Sequence, residues 1–225
     1  MIIAAISDLD VLGNDISEFF KLLKKMKEPD LLIFAGDMYE WANPKQYKKI
    51  QKAIKWKCPV VAVFGNREFP EDEKEIMKSA KKIKFLKDES ITLKIKGKTV
   101  GIVGSRGVLD SPSFWQKMNI NGIEEFYQEE LETITRLLTE LKTDIKILVT
   151  HYAPTYRTLT GEPMFIYSGL GTKRLEKVMK DTKVTLAIHG HAHYGRDFAV
   201  VGNIPVYNVC LCNNGKITII DTDKL

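Results

Sequence analysis

Four histidines occur in this 225-residue chain, and three of them fall within five positions, at His189, His191 and His193. They close the largely apolar run Val184 to Ile188, and the fourth, His151, follows another such run, Ile145 to Val149. Open α/β sheets present the C-terminal ends of their strands at a crevice where ligands bind, so imidazoles at two strand ends are placed for a metal centre. Carboxylates arrive the same way. Asp8-Leu9-Asp10 follows Ile2 to Ile6, Gly36-Asp37 follows Leu31 to Ala35, and Gly65-Asn66-Arg67-Glu68 follows Val60 to Phe64. Five strand ends thus deliver Asp8, Asp10, Asp37, Asn66, His151, His191 and His193 in order. Mixed carboxylate, amide and imidazole donors suit Mn, Fe, Zn or Co, and two such ions roughly 3.5–4 Å apart clamp the attacking and leaving oxygens of a phosphoryl transfer.

The elements that must position these groups alternate along the chain. Asp15 and Glu18 form a capping box ahead of Ile16, Phe19, Phe20, Leu23 and Met26, which predicts a helix after the first strand. A second helix is expected from Pro44 to Lys57, with Lys45, Lys48, Lys49, Lys52 and Lys55 as a solvated face, and a third from Pro70, whose first turn is acidic. Ile91 to Ile95 and Thr99 to Val103 flank Lys96-Gly97-Lys98 as a hairpin, and a loop runs from Gly104 through Trp115. Ile123, Tyr127, Leu131, Ile134, Leu138 and Leu141 predict a long helix over Gly122 to Lys142 whose acidic outer face is solvated. A further helix is expected from Gly171 to Lys180. The last third reads as successive antiparallel strands over Asp197 to Val201, Ile204 to Cys210 and Lys216 to Asp221. Cys210 and Cys212, two apart in a strand-like stretch, then share one face and read as core residues, not zinc ligands. The expectation is an α/β fold of two sheets with helices outside, in a single domain over residues 1–225.

Composition narrows the function. The net charge of +5 is confined to the first 100 residues, where 20 Lys and Arg meet 15 Asp and Glu, and the helical spacing of the lysines argues against a nucleic-acid partner. No apolar run is long enough to span a membrane, and no basic leader precedes the first strand, so a cytoplasmic protein is expected. Three cysteines, an odd number, make no disulfide framework.

The ordered set resembles the calcineurin-like metallophosphoesterase superfamily, whose pattern is D-x-H, G-D, G-N-H-D/E, a lone H, and G-H-x-H. Here it reads Asp8-Leu9-Asp10, Gly36-Asp37, Gly65-Asn66-Arg67-Glu68, His151 and Gly190-His191-Ala192-His193, and Gly169 to Gly195 resembles the archaeal and bacterial branch of small phosphoesterases. The resemblance implies a four-layer sandwich of two mixed β-sheets flanked by α-helices. It implies that Asp37 bridges two divalent metals, with Asp8 and His193 on the first and Asn66, His151 and His191 on the second. A metal-bridging hydroxide would then hydrolyse a small phosphomonoester or phosphodiester.

Two departures from the pattern matter. Asp10 replaces a histidine; as a direct ligand it favours Mn or Mg over softer ions such as Fe, Zn, Co or Ni, and otherwise it accepts a hydrogen bond behind the ligands. Arg67 replaces the histidine that would protonate the leaving group. Its guanidinium cannot act as an acid near neutrality but suits a phosphate oxygen, so acidic leaving groups would be favoured; the alternative is a structural pairing with neighbouring carboxylates. Arg106 and Arg157 lie in long loops from which either could reach a substrate phosphate. Phe114 and Trp115 could stack on a base or aryl group or pin their loop, Tyr194 could line the pocket, and His189 reads as a core residue. The competing functions are a metal-binding module that engages a protein partner without efficient catalysis and, more weakly, a nuclease.

Overall fold

Strand β1 (Ile2–Ile6) shows how the layers arise. Alternate side chains point to opposite faces of a strand, and here Ala4 and Ile6 enter one apolar cluster while Ile3 and Ala5 enter another, so β1 is covered on both faces. The computed structural model describes residues 1–9, 16–38 and 45–225. After β1 come α1 (Ile16–Lys25), β2 (Leu31–Ala35), α2 (Gln46–Ala53), β3 (Val60–Val63), α3 (Pro70–Ser79) and β4 (Lys84–Phe85). The middle of the chain adds β5 (Glu89–Ile95), β6 (Lys98–Ser105), α4 (Phe114–Asn119), α5 (Ile123–Glu140), β7 (Ile145–Thr150), α6 (Arg174–Asp181) and β8 (Leu186–His189). The chain closes with β9 (Phe198–Val201), β10 (Ile204–Asn208), α7 (Leu211–Asn214) and β11 (Thr218–Asp221).

Two mixed sheets result, in the orders β11-β1-β2-β3-β4 and β5-β6-β7-β8-β10-β9. Ile3, Leu31, Ile33 and Val61 of the first sheet meet Val100, Ile102, Ile147 and Ile188 of the second in one buried cluster. The outer face of the first sheet packs Phe34 and Ala62 against Phe19 of α1, Tyr47 and Ile50 of α2 and Ile76 of α3. The second sheet packs Val103, Leu148 and Val206 against Ile134 and Leu138 of α5 and Leu175 of α6. Helix, sheet, sheet and helix therefore stack as the expected sandwich. No helix among the described residues is long and apolar enough to cross a membrane.

Several local expectations are corrected. β9 and β10 pair antiparallel, but β10 lies parallel to β8, and β11 leaves for the first sheet, where it runs antiparallel to β1. Cys210 and Cys212 are not in a strand: β10 ends at Asn208, and the short helix α7 turns Cys212 back toward the loop that carries His193. The stretch after Gly104 contains α4, entered through a capping box between Ser113 and Gln116. The helix expected from Gly171 begins at Arg174, and α2 is shorter than the lysine spacing implied. Glu130, on the acidic side of α5, is buried against Ser105. The expected capping residue Asp15 lies outside the described residues.

Candidate metal centre

The C-terminal ends of β1, β2, β3, β7 and β8 meet at one edge of the sandwich. There, Asp8, Asp37 and His151 present one ligand atom each, all within 4.8 Å of one another, and all three residues are buried. Two buried carboxylates this close repel unless a cation or a protonated base lies among them. The backbone is bent to bring them there. Asp8, Asp37 and His191 have φ of 56°, 53° and 68°, a left-handed conformation that non-glycine residues avoid and that clusters at functional sites. Glycine is required beside them: a Cβ on Gly65 would lie 2.1 Å from Asp37 Oδ1, and one on Gly190 would lie 2.5 Å from Asp8 Oδ2.

Each candidate ligand is oriented by a second contact. His151 Nδ1 donates to the Ala35 carbonyl at 2.8 Å, which turns Nε2 toward Asp37 Oδ2 at 3.5 Å and Asn66 Oδ1 at 2.9 Å. This is how a metal-ligating imidazole is usually fixed. Burial works against charge on His151, but the Asp37 carboxylate outweighs it and holds the ring up to about 9. Burial, and then the His151 charge, push His191 down to about 3, so His191 is a neutral donor. Asp8 Oδ2 accepts from Ser7 Oγ at 2.5 Å and from the His191 backbone N–H at 3.0 Å, while His193 Nε2 sits 3.1 Å from Asp8 Oδ1. Burial would raise Asp8, yet the bond from His193 and the charge of His151 hold it well below the carboxylate range. The donor set therefore fits divalent cations.

Asp37 itself is clamped. Glu68, fully buried, accepts at Oε2 from the Asp37 and Gly65 backbone N–H groups, at 2.9 and 2.6 Å, and at Oε1 from the Met38 N–H and the Tyr47 hydroxyl, at 2.8 and 3.0 Å. Burial and the Asp37 charge push it up to about 7, against the pull of those N–H groups. Sequence reasoning left Glu68 as the last letter of a motif and missed this role. The spacing Gly65-x-x-Glu68 was the available signal, since a carboxylate three residues after a site glycine can turn back onto its N–H.

The remaining sequence candidates separate. Arg67 reaches the site: its backbone N–H donates to Asp37 Oδ1 at 2.8 Å and its Nε lies 3.8 Å from Asp37 Oδ2. Arg106 lies at the edge of a cleft of about 690 Å³ that Asn66, Trp115, Ile120, Tyr152 and His191 also line, and its Nη2 donates to the Glu68 carbonyl and to Glu73. Arg157 is paired instead with Glu176 and does not line that cleft. His189 is fully buried, with its ring nitrogens taken up by the Gly190 carbonyl and Thr158 Oγ1 at 2.8 Å each, and so is a core residue. Trp115 lines the cleft; Phe114, four-fifths exposed, and Tyr194 do not. Asp10 lies outside the described residues.

Comparison with known proteins gives the family and the fold. The family model described as calcineurin-like phosphoesterase matches residues 1–195. A Synechococcus sp. protein named as a probable cyclic nucleotide phosphodiesterase is 28% identical over 173 residues, 75% of this chain and 60% of that protein. This chain thus spans about three-fifths of the length of that relative. Among solved structures, the phosphopantetheinyl hydrolase of Mycobacterium tuberculosis superposes with a TM-score of 0.66 at 16% identity, covering 92% of this chain and 88% of the other. The protein TT1561 of Thermus thermophilus gives 0.66 at 14% identity, covering 99% and 95%. At such identities the likeness shows the fold.

Proposed function

The chain belongs to the calcineurin-like phosphoesterase family, and from that premise we propose that it is a two-metal hydrolase of small phosphate esters, built as one domain over residues 1–225. The observation that carries this reading is the convergence of Asp8, Asp37 and His151 within 4.8 Å at strand ends of both sheets. Asp37 would sit between two divalent cations, with Asp8 and His193 on one side and Asn66, His151 and His191 on the other. When bound, such a pair of cations lowers the pKa of water and neutralises charge on the phosphoryl group. The oxygen and nitrogen donors among these residues admit manganese first.

The chain's own residues set the rest of the chemistry. Arg67 is a permanent cation beside Asp37 and would hold a phosphoryl oxygen by charge-assisted hydrogen bonds, orienting the ester and stabilising the charge that grows in the transition state. It has no proton to give near neutrality, so the departing oxygen leaves unaided and acidic leaving groups react best. The cleft beside Asn66 and His191 offers that leaving group a wall of Leu109, Trp115, Ile120 and Tyr152, which fits an aryl or nucleoside ester. Arg106, tied to Glu73 and the Glu68 carbonyl, would hold this wall and contribute charge at its edge. Three free thiols suit a reducing compartment, in accord with a cytoplasmic enzyme.

The test is metal content measured together with turnover on an aryl phosphate, an aryl phosphodiester and cyclic nucleotides, each with added Mn, Co, Ni, Zn and Mg. Two metals per chain with metal-dependent turnover are expected. A chain that binds no metal and turns over none of the panel would overturn the reading.

A further inference from the structure

Beside the centre lie two sulfurs that the proposed reaction leaves unused. Cys210 Sγ and Cys212 Sγ are 2.6 Å apart, and a ring nitrogen of His193 lies within 4.8 Å of both. These sulfurs are brought together by the fold and are not a chance surface pair. Cys210 is fully buried beside Ser7, with which it forms a parallel bridge, and the Leu211 N–H donates to the Ser7 carbonyl at 3.0 Å. The loop that carries His193 is stitched to the same segment: Asn208 Nδ2 donates to the Ala192 carbonyl at 2.7 Å and Asn213 Nδ2 to the Gly195 carbonyl at 2.6 Å. Sulfur and imidazole are therefore held facing one another from two different segments, as a ligand set must be.

We propose that His193, Cys210 and Cys212 form a sulfur-rich site for a thiophilic divalent cation, zinc being the natural occupant, on the Asp8 side of the phosphoesterase centre. The inference rests on the reading of His193 as a ligand of that centre. The two thiols are in hydrogen-bonding contact and, once deprotonated, can share a cation. An imidazole nitrogen within 4.8 Å of both sulfurs completes a three-donor set that a thiophilic cation takes. A tetrahedral zinc with sulfur at 2.3 Å and nitrogen near 2.0 Å sets its two sulfurs roughly 3.8 Å apart, so the thiols need to open by about an ångström. Binding releases the thiol protons to solvent and leaves a further position for Asp8, whose Oδ1 lies 3.1 Å from His193 Nε2. Soft sulfur disfavours manganese, so the two positions of the centre would differ in metal preference.

Cobalt(II) is the probe. The full-length reduced chain, loaded anaerobically with cobalt, is expected to show near-ultraviolet sulfur-to-cobalt charge-transfer absorption, which carboxylate and imidazole ligands do not produce. Cys212→Ser should diminish that band and Cys210→Ser/Cys212→Ser should abolish it, with zinc affinity falling about tenfold or more and manganese affinity unchanged. Cobalt bound without the band, a band that survives in the double variant and so arises from Cys58, or a Cys210–Cys212 disulfide in protein freshly isolated and not yet reduced would each overturn the inference. The first of these leaves the phosphoesterase reading intact, whereas failure to bind any metal, with no turnover on the panel, removes both. The spectrum of the unaltered chain decides the matter even if the serine variants fold poorly.

Discussion

Arg67 grips Asp37 twice, through its backbone N–H at 2.8 Å and its guanidinium at 3.8 Å. A residue at the position of an expected acid is thus a cation held against the carboxylate at the heart of the site. Arg67→Ala should lower kcat/KM about 10- to 100-fold, the worth of a charge-assisted hydrogen bond. Arg67→His should raise turnover of alkyl esters, with poor leaving groups, relative to aryl esters. Steady-state rates on matched alkyl and aryl phosphates check this, and an unchanged ratio would show that leaving-group departure does not depend on position 67.

Asp37 touches His151, Arg67 and, through its N–H, Glu68. Asp37→Asn should cut turnover by at least about a hundredfold and lower metal content, since an amide is a weak ligand for hard cations. Elemental analysis beside rates is the check; full metal loading with undiminished turnover would rule out a bridging role.

Glu68 serves four donors from inside the protein. Glu68→Gln replaces one acceptor oxygen with an NH2 group that faces existing donors, at a cost of about 1–3 kcal/mol. Thermal denaturation should show a Tm several degrees lower, roughly 2–4 °C per kcal/mol for a chain of this size. An unchanged Tm would mean that the clamp on Asp37 is not a strong one.

Glu130 gives a pH dependence. Burial, and then the carboxyl of Asp88, push it up to about 8, above its ordinary value of 4.5. Between these limits the folded chain holds a proton that the unfolded chain has lost, so this contribution to stability is complete below the lower value and is lost as pH rises toward the upper one. Glu130→Gln removes the titration. Its Tm should exceed that of the parent by a few degrees at pH 8.5 and match it more closely at pH 5; a difference independent of pH would refute the assignment.

Trp115 is more than half exposed at the cleft wall. Trp115→Ala should raise KM for aryl esters about two- to tenfold while leaving a methyl ester unaffected, as expected for lost stacking. Equal effects on both would point to a role in shaping the loop.

Much of this site was legible because its candidate ligands follow buried strands: Asp8, Asp37, Asn66 and His151 each come after a largely apolar run. The tautomer-fixing bond from His151 to Ala35 was not, because it joins residues 116 positions apart. Cys210 and Cys212 were misplaced for a related reason. Val206 and Tyr207 continue an alternating pattern, and nothing local marks Asn208 as the last strand residue; what ends the strand is the bonding of Asn208 and Asn213 to the distant loop around His193. The burial of Glu130 was equally hidden, since five acids surround it on α5 and its position is distinguished by the distant Ser105 hydroxyl and Asp88 carboxyl. The move of β11 to the first sheet could not be read from its own residues, which suit either edge.

That move sets an order of events during synthesis. β1, which carries Asp8, lies between β2 and β11, and its N-terminal end is further tied to Asp223 by the Met1 amine at 2.9 Å. β1 therefore waits for β11, made roughly 200 residues later, before both of its edges are paired. Until residue 221 has left the ribosome, a growing chain exposes an unpaired hydrogen-bonding edge of β1 beside a half-built acidic pocket.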